Sequence, residues 1–204
     1  MPGKGKFYVF EGIDGSGKSS VARTVHNFLS IKYIESVLTE EPYKYGIGGL
    51  IRDMIMAQDA ETSELTDLLA YALDRSLHVR NLIEPALKEG KVVISDRYYH
   101  SFIYNLKSGD AKYLERAKII NSFFPKPDIT FVLDADAETV MKRFGSRNVR
   151  YKYEILPRMR ELAANYRTLD LYFPGERIEM IDADLPEEEV KQQVINIVIE
   201  DLGL

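Results

Sequence analysis

The run "GIDGSGKS", Gly12 to Ser19, constrains this chain more than any other stretch. It fits the pattern G-x-x-x-x-G-K-[ST]. An apolar run, "FYVFE" (7–11), precedes it, and a stretch with Val21, Val25, Phe28 and Leu29 on one helical side follows. A glycine-rich turn with a surface lysine would share these letters. The strand before the pattern and the helix after it give it its weight. Glycines let backbone N–H groups turn inward around phosphate oxygens, and the helix directs its positive end at the same anion. Gly12, Ile13, Asp14, Gly15, Ser16, Gly17, Lys18, Ser19 and Ser20 therefore line a candidate triphosphate cradle. Lys18 would reach the β- and γ-phosphates, and the Ser19 hydroxyl would ligate Mg²⁺. Asp14 is the discordant letter, a carboxylate where phosphate would repel it.

The rest of the chain alternates short apolar runs with longer helical patterns. Strands are expected at 7–11, 36–40, 91–96, 128–135 and 177–182. Helices are expected at 18–31, 48–57, 63–90, 111–124, 136–144, 153–171 and 186–202. Ser63 is placed to cap the long helix and Gly90 to stop it. Nearly continuous apolar strands separated by helices imply an α/β fold with a parallel sheet covered on both faces. In such sheets the ligand site lies beyond the carboxyl ends of the strands, so the loops after Glu11, Glu40, Asp96, Asp134 and Asp182 should carry the chemistry. The length of 204 residues suits a single domain, 1–204.

Composition narrows the partners. A net charge of -5 argues against a nucleic-acid polymer or a membrane surface. No stretch approaches the roughly 20 apolar residues of a membrane span. The chain has no cysteine, which excludes disulfides, thiolate zinc sites and cysteine nucleophiles. His26, His78 and His100 are scattered. A cytoplasmic protein is the expectation.

A triphosphate cradle alone does not distinguish a switch, a motor and a small-molecule kinase. A guanine-selecting N-K-x-D segment is absent. Tyr71, Arg75 and His78 share one face of the 63–90 helix. A ring and a guanidinium one turn apart can hold a nucleotide at both ends, Tyr71 on a base and Arg75 on its phosphate. Spacing alone favours the plainer alternative, a core Tyr71 and an Arg75 paired with Asp74 or Glu84. Asp96 ends a strand, where an acid holds the Mg²⁺ hydration shell, and Arg97 follows it toward the same phosphates. An Asp–Arg surface pair is the alternative. Lys142, Arg143, Arg147, Arg150 and Lys152 surround a glycine in 142–152. That segment reads as a mobile lid bringing cations over a transferring phosphoryl group, or as a solvated basic loop.

Together, "FEGIDGSGKSS", "TEEP" (39–42), "LLAYALDRSLHV" (68–79), "EPALKEGKVVISDRYYHS" (84–101), "TFVLDAD" (130–136) and "IDADLPEEEV" (181–190) resemble the thymidylate kinase family. The resemblance implies a three-layer P-loop kinase fold with a five-stranded parallel sheet and a short lid. It also implies transfer of the ATP γ-phosphate to dTMP with Mg²⁺, and a homodimer. By resemblance Asp14 reaches the acceptor's sugar hydroxyl, Tyr71 stacks on the base and Arg75 binds the acceptor phosphate. Asp96 matches the Mg²⁺-linked acid and Arg97 the arginine near the phosphates. Arg52 matches a further arginine near the acceptor, and Asp182 opens the adenine-side loop. Gly15 stands after Asp14, so the catalytic arginine should come from the lid, as Arg147 or as Arg150 or Arg143. After Ser101 the sequence departs from the family pattern. Phe102 stands where a polar group often meets the base, and Asn105 where an aromatic often excludes a 2′-hydroxyl. Glu40 replaces an arginine, which leaves Tyr43 or Lys44 for its work.

Two other readings remain at this point. A deoxynucleoside kinase would need a carboxylate base, for which Glu41 is the candidate. A regulatory ATPase would bind nucleotide and a protein partner without turning over any nucleotide acceptor.

Overall fold

A computed structural model describes residues 5–44, 47–56, 62–107, 110–145 and 154–204. Five strands, β1 (Lys6–Glu11), β2 (Ser36–Glu40), β3 (Val92–Asp96), β4 (Ile129–Asp134) and β5 (Ile178–Asp182), form one sheet. Their order is β2-β3-β1-β4-β5, and every pairing is parallel. The helices are α1 (Lys18–Ile31), α2 (Gly48–Met56), α3 (Glu64–His78), α4 (Glu84–Lys88), α5 (Ala111–Asn121), α6 (Ala137–Phe144), α7 (Leu156–Tyr166), α8 (Leu169–Tyr172) and α9 (Glu187–Leu202).

The period-2 alternation of β1 sorts the layers. Tyr8 and Phe10 face Val21, Val25 and Leu29 of α1 and Val194 of α9 in one buried cluster. Phe7 and Val9 face Val79, Ile83 and Ala86 in another. The next residue on that second face is Glu11, fully buried at the strand's carboxyl end. A parallel sheet closed on both faces leaves its open edge at these ends, so β1, β3 and the loops after them set the site.

Two expected elements differ from those observed, and one element appears where none is expected. The 63–90 helix starts as expected, with Ser63 Oγ accepting from Thr66 N at 3.0 Å, but α3 and α4 are separated by a π-helical turn, Val79–Ile83. Pro85 has no N–H to donate, and its ring crowds the carbonyl of residue 81, so the helix widens just before it. The 153–171 helix is divided into α7 and α8. The stretch Tyr99–Asn105, where no element is expected from the sequence, is a 3-10 helix.

Candidate active site

The glycine-rich loop carries the backbone that its sequence demands. Gly12, Gly15 and Gly17 have φ of 137, 81 and 100°, where a side chain is strained. Gly17 is also the N-cap of α1, and no side chain caps that end. The first-turn N–H groups are thus available to an anion. Lys18 is buried, and its Nζ donates to the Ile13 carbonyl at 3.0 Å across the loop. Burial and the neighbouring Arg97 charge push its ammonium below the ordinary lysine value, against Asp14, Asp96 and Glu11. A phosphate arriving there would meet a cation already half stripped of water.

Ser19 Oγ donates to Asp96 Oδ2. The other Asp96 oxygen, Oδ1, is buried without a partner in the protein. Among the described residues no group of three or more acidic or histidine side chains is arranged to hold a metal. One carboxylate beside one hydroxyl, with an acceptor oxygen to spare, fits Mg²⁺. That ion keeps several waters and takes its other ligands from phosphates.

Arg97 is the hinge of the site. Its φ is 72°, an uncommon conformation for a side-chain-bearing residue and one that clusters at functional sites. The surroundings hold it there. Arg97 N donates to Phe10 O at 2.9 Å, and Ser95 Oγ donates to Arg97 O at 2.7 Å. Glu11 accepts from Tyr98 N, Ser101 Oγ and Tyr166 OH, each at 2.8 Å, and so ties the turn to the end of β1. The guanidinium lies 4.7 Å from the Tyr104 ring centre and donates to Tyr104 OH at 2.9 Å and to Asp14 Oδ1. Burial alone would raise the Asp14 carboxyl, but the Arg97 and Lys18 charges outweigh it and hold the group below its ordinary value. Asp14 therefore stays ionised.

Two pockets meet at this pair. The outer cleft is lined by Gly15, Gly17, Lys18, Ser19, Ser20, Arg52 and Asp96. The inner pocket holds about 660 Å³, part of it open to solvent, and is lined by Tyr71, Arg75, Tyr98, Ser101, Phe102, Tyr104, Asn105, Tyr113 and Asn121. Asp14, Arg97 and Glu41 line both. The structure thus brings Asp14, Tyr71, Arg75, Arg97, Ser101, Phe102 and Asn105 around one space, and leaves Arg52 at the outer cleft.

The resemblance assigns Arg75 to the acceptor phosphate; in the structure its guanidinium is engaged by protein groups. It is 4% exposed. Nε and Nη2 donate to Glu41 Oε2 at 2.9 and 2.7 Å, and Nη1 donates to Asn121 Oδ1 at 2.8 Å. Neither Asp74 nor Glu84 is its partner. Asp74 instead accepts from Tyr43 N at 2.6 Å. Arg75 lines the inner pocket and not the outer cleft, whereas Arg97 lines both.

Tyr71 is half-buried in the pocket wall, and burial, with Asp67 nearby, pushes its hydroxyl up to about 12. It presents a neutral ring at physiological pH. Asn105 Nδ2 donates to Asp67 Oδ2 at 3.1 Å. Phe102 is buried, and its carbonyl accepts from Tyr113 OH at 3.1 Å.

On the outer side, Ser20 Oγ donates to Glu187 Oε1 at 2.8 Å. Arg143 Nη2 donates to Ala183 O at 2.8 Å, which joins the end of α6 to the loop after β5. Asp182 Oδ1 accepts from Asp184 N at 3.0 Å in that loop. A side chain at Gly15 would lie 2.6 Å from both Phe144 and Val140, so the loop has no room for an arginine there. Arg147, Arg150 and Lys152 lie outside the described residues.

Sequence reasoning missed Glu11, Tyr98, Tyr104, Tyr113 and Asn121 as site residues, and took Glu41 only as a base. Glu11 had a visible signal, an acid ending an apolar strand. Asn121, at the end of a helix far along the chain, had none.

A cradle for a triphosphate and a second pocket sharing a wall with it define a P-loop kinase of small acceptors. The chain belongs to the thymidylate kinase family, whose sequence model, "Thymidylate kinase", matches residues 10–194. It is 36% identical over 202 residues to a probable thymidylate kinase of Methanosarcina mazei, covering 97% of each chain. It is 37% identical over 207 residues to one of Thermococcus kodakarensis, covering 97% of this chain and 98% of that one. A third, from Pyrococcus horikoshii, is 34% identical over 206 residues with 98% of each covered. Among the described residues no helix is long and apolar enough to cross a membrane.

Proposed function

We propose that this protein phosphorylates dTMP to dTDP, taking the γ-phosphoryl group of ATP in the presence of Mg²⁺. The observation that carries the reading is the wall shared by the two pockets. Asp14 and Arg97 line both, so a donor on the glycine loop and an acceptor in the inner pocket would bring their phosphates together there. The reaction needs two polyanions held in line, with their charge offset, more than it needs covalent help. Lys18 and Arg97 supply fixed positive charge, and Arg147 is the proposed lid contribution. Mg²⁺, held by Ser19 and Asp96, would neutralise donor phosphate charge. Tyr71 stacks on the base, and Asp14 accepts from the acceptor's sugar hydroxyl while Arg97 offsets its charge. Arg143 and Asp182 flank the adenine side, and Arg52 stands over the phosphates at the outer cleft.

A kinase of deoxynucleosides, with Glu41 as base, is less well supported. Glu41 is buried, with Oε2 bound by Arg75 and Oε1 3.2 Å from His78 Nδ1. A carboxylate so occupied is a poor proton acceptor. A regulatory ATPase would leave the inner pocket without a role.

We place the enzyme in the cytoplasm and propose that it works as a homodimer. Leu50 and Met54 on α2 and Leu65, Leu69 and Leu73 on α3 are exposed. These adjoining helices make an apolar face of the kind that marks an interface.

Steady-state assays with ATP and dTMP, dUMP, dCMP, UMP, dGMP or thymidine test the reading. Formation of dTDP is expected. Product from thymidine but not dTMP would favour the deoxynucleoside kinase, and no product from any acceptor would overturn both.

A further inference from the structure

Arg97 Nη2 carries two N–H groups. One donates to Asp14 Oδ1 and the other to Tyr104 OH at 2.9 Å. Nη2 is thus taken up by the protein. Nη1 makes one long contact, to Ser101 Oγ at 3.4 Å. The Nη1 and Nε groups are therefore the ones left to serve an anion. Tyr104 restrains the guanidinium twice, by its hydroxyl on Nη2 and by its ring, whose centre lies 4.7 Å from the guanidinium carbon. Without the hydroxyl, only Asp14 would hold Nη2.

Tyr104 is itself held from behind by α7. Its carbonyl accepts from Arg158 Nη2. The Tyr166 ring meets the Tyr104 ring edge-on, 6.4 Å between centres, and Tyr166 OH continues to Glu11. Asn165 Nδ2 donates to Leu106 O at 3.3 Å, two residues beyond Tyr104. The Arg158 side chain is 17% exposed, and its Nη1 donates to Glu161 within α7. A contact path thus runs from α7 through the end of the 3-10 helix to Arg97. Burial pushes the Tyr104 hydroxyl well above its ordinary value, against the nearby Arg97 charge. The hydroxyl stays neutral, so it accepts from Arg97 and keeps its own hydrogen for Asp14, which it helps to hold ionised.

We propose that Tyr104 is a positioning residue for phosphoryl transfer, aiming the Arg97 guanidinium at the wall shared by the two pockets, and that Arg158 acts through it by fixing the Tyr104 main chain. This rests on the phosphoryl-transfer reading proposed above. An arginine left to tilt still carries its charge, so the binding of ATP on the glycine loop changes little. What is lost is the fixed aim at charge developing in transit between donor and acceptor, where preorganised groups act most strongly. The loss should therefore fall on kcat.

Tyr104→Phe is the direct test, since it keeps the ring and removes the hydroxyl. The readouts are kcat and the KM values for ATP and dTMP, with a thermal melt to confirm folding. kcat should fall at least about tenfold, at a nearly unchanged KM for ATP. Arg158→Ala leaves every side chain of both pockets in place and covers the case of an unfolded phenylalanine variant. It should lower kcat about 2- to 10-fold, and Arg158→Lys, which keeps one donor for the carbonyl, should restore part of that. The decisive measurement adds Tyr104→Phe to Arg97→Ala, or to Arg97→Lys where the alanine variant is too slow to assay. A residue acting only through the guanidinium has little left to change there, whereas a merely structural one lowers kcat by its full factor again. A full further loss, or native kcat in folded Tyr104→Phe and Arg158→Ala, would overturn the assignment alone. Native enzyme that phosphorylates no pyrimidine nucleotide would overturn the kinase reading and this one with it.

Discussion

Arg97 Nη2 donates to Asp14 Oδ1 at the boundary between the glycine-loop cleft and the inner pocket. The pair resolves the oddity of an acid inside a phosphate loop. The Asp14 charge is offset by Arg97, and together they form a wall common to the two pockets.

Asp14→Asn should therefore harm the acceptor more than the donor. The amide keeps the size but loses the charge that holds Arg97 in place and the strong acceptor for a sugar hydroxyl. A charge-assisted hydrogen bond of this kind contributes about 1.5–3 kcal/mol, so kcat/KM for dTMP should fall about 10- to 100-fold. The KM for ATP should move little. Equal loss for both substrates would place Asp14 on the donor.

Arg75→Ala should impair dTMP use severely and leave ATP binding largely intact, because Arg75 lines the inner pocket only. It should also destabilise the fold, since it strands a buried Glu41. Breaking a buried pair from one side costs about 3–5 kcal/mol. Replacing both partners, as Arg75→Leu with Glu41→Gln, should recover part of the stability and none of the dTMP turnover. Chemical denaturation alongside the assays separates the two effects. A double variant that regains turnover would remove Arg75 from the site.

The surroundings of Arg75 were only partly legible in the sequence. Spacing put Tyr71 and Arg75 on one face of a helix, and both do line one pocket. Spacing could not show that Glu41 and Asn121, 34 and 46 residues away, would take up the guanidinium. The glycine loop, the five strands and the acid at the end of β3 were legible because each is a local pattern. The turn at Tyr98–Ser101 was not. Its shape comes from Glu11, 87 residues before Tyr98. Phe102 departs from the family pattern, and Asn121 joins the same pocket from another helix.

Glu11→Ala should be among the most destabilising single changes. It would leave Tyr98 N, Ser101 Oγ and Tyr166 OH without their acceptor in the interior. Each stranded group costs about 1–3 kcal/mol, so a loss of at least about 3 kcal/mol is expected in denaturant titrations. A variant of native stability would mean that the carboxylate is dispensable for the turn.

Acid stability should depend on Glu176. It accepts from Tyr99 OH at 2.9 Å and lies 3.0 Å from His100 Nε2. Burial would raise its carboxyl, but the bond to His100 and the charge on that ring outweigh it and lower the group below its ordinary 4.5. A carboxyl lowered on folding binds its proton more weakly in the native state. Its contribution is therefore present above about pH 4.5 and is lost as pH falls through the lowered value. Asp14 and Asp201 are lowered too and act in the same direction. Glu176→Gln should flatten the acid limb of a stability-versus-pH curve without abolishing it. An unchanged limb would show that the pair carries no such linkage.

Asp96→Asn should raise the Mg²⁺ concentration at half-maximal rate. The carboxylate has one oxygen on Ser19 and one buried without a partner, so it has an acceptor free for the ion or its water. Losing the charge should weaken the ion's hold about 10- to 100-fold, the range seen when groups ordering a metal's ligands are removed. Ser19→Ala should act on the same quantity. Because the two side chains touch, their effects should not add, and the double variant should fall short of the product of the singles. The measurement is a Mg²⁺ titration at saturating ATP and dTMP. A half-saturation point that neither change moves would place the ion elsewhere and leave the Ser19–Asp96 contact as a brace between α1 and β3.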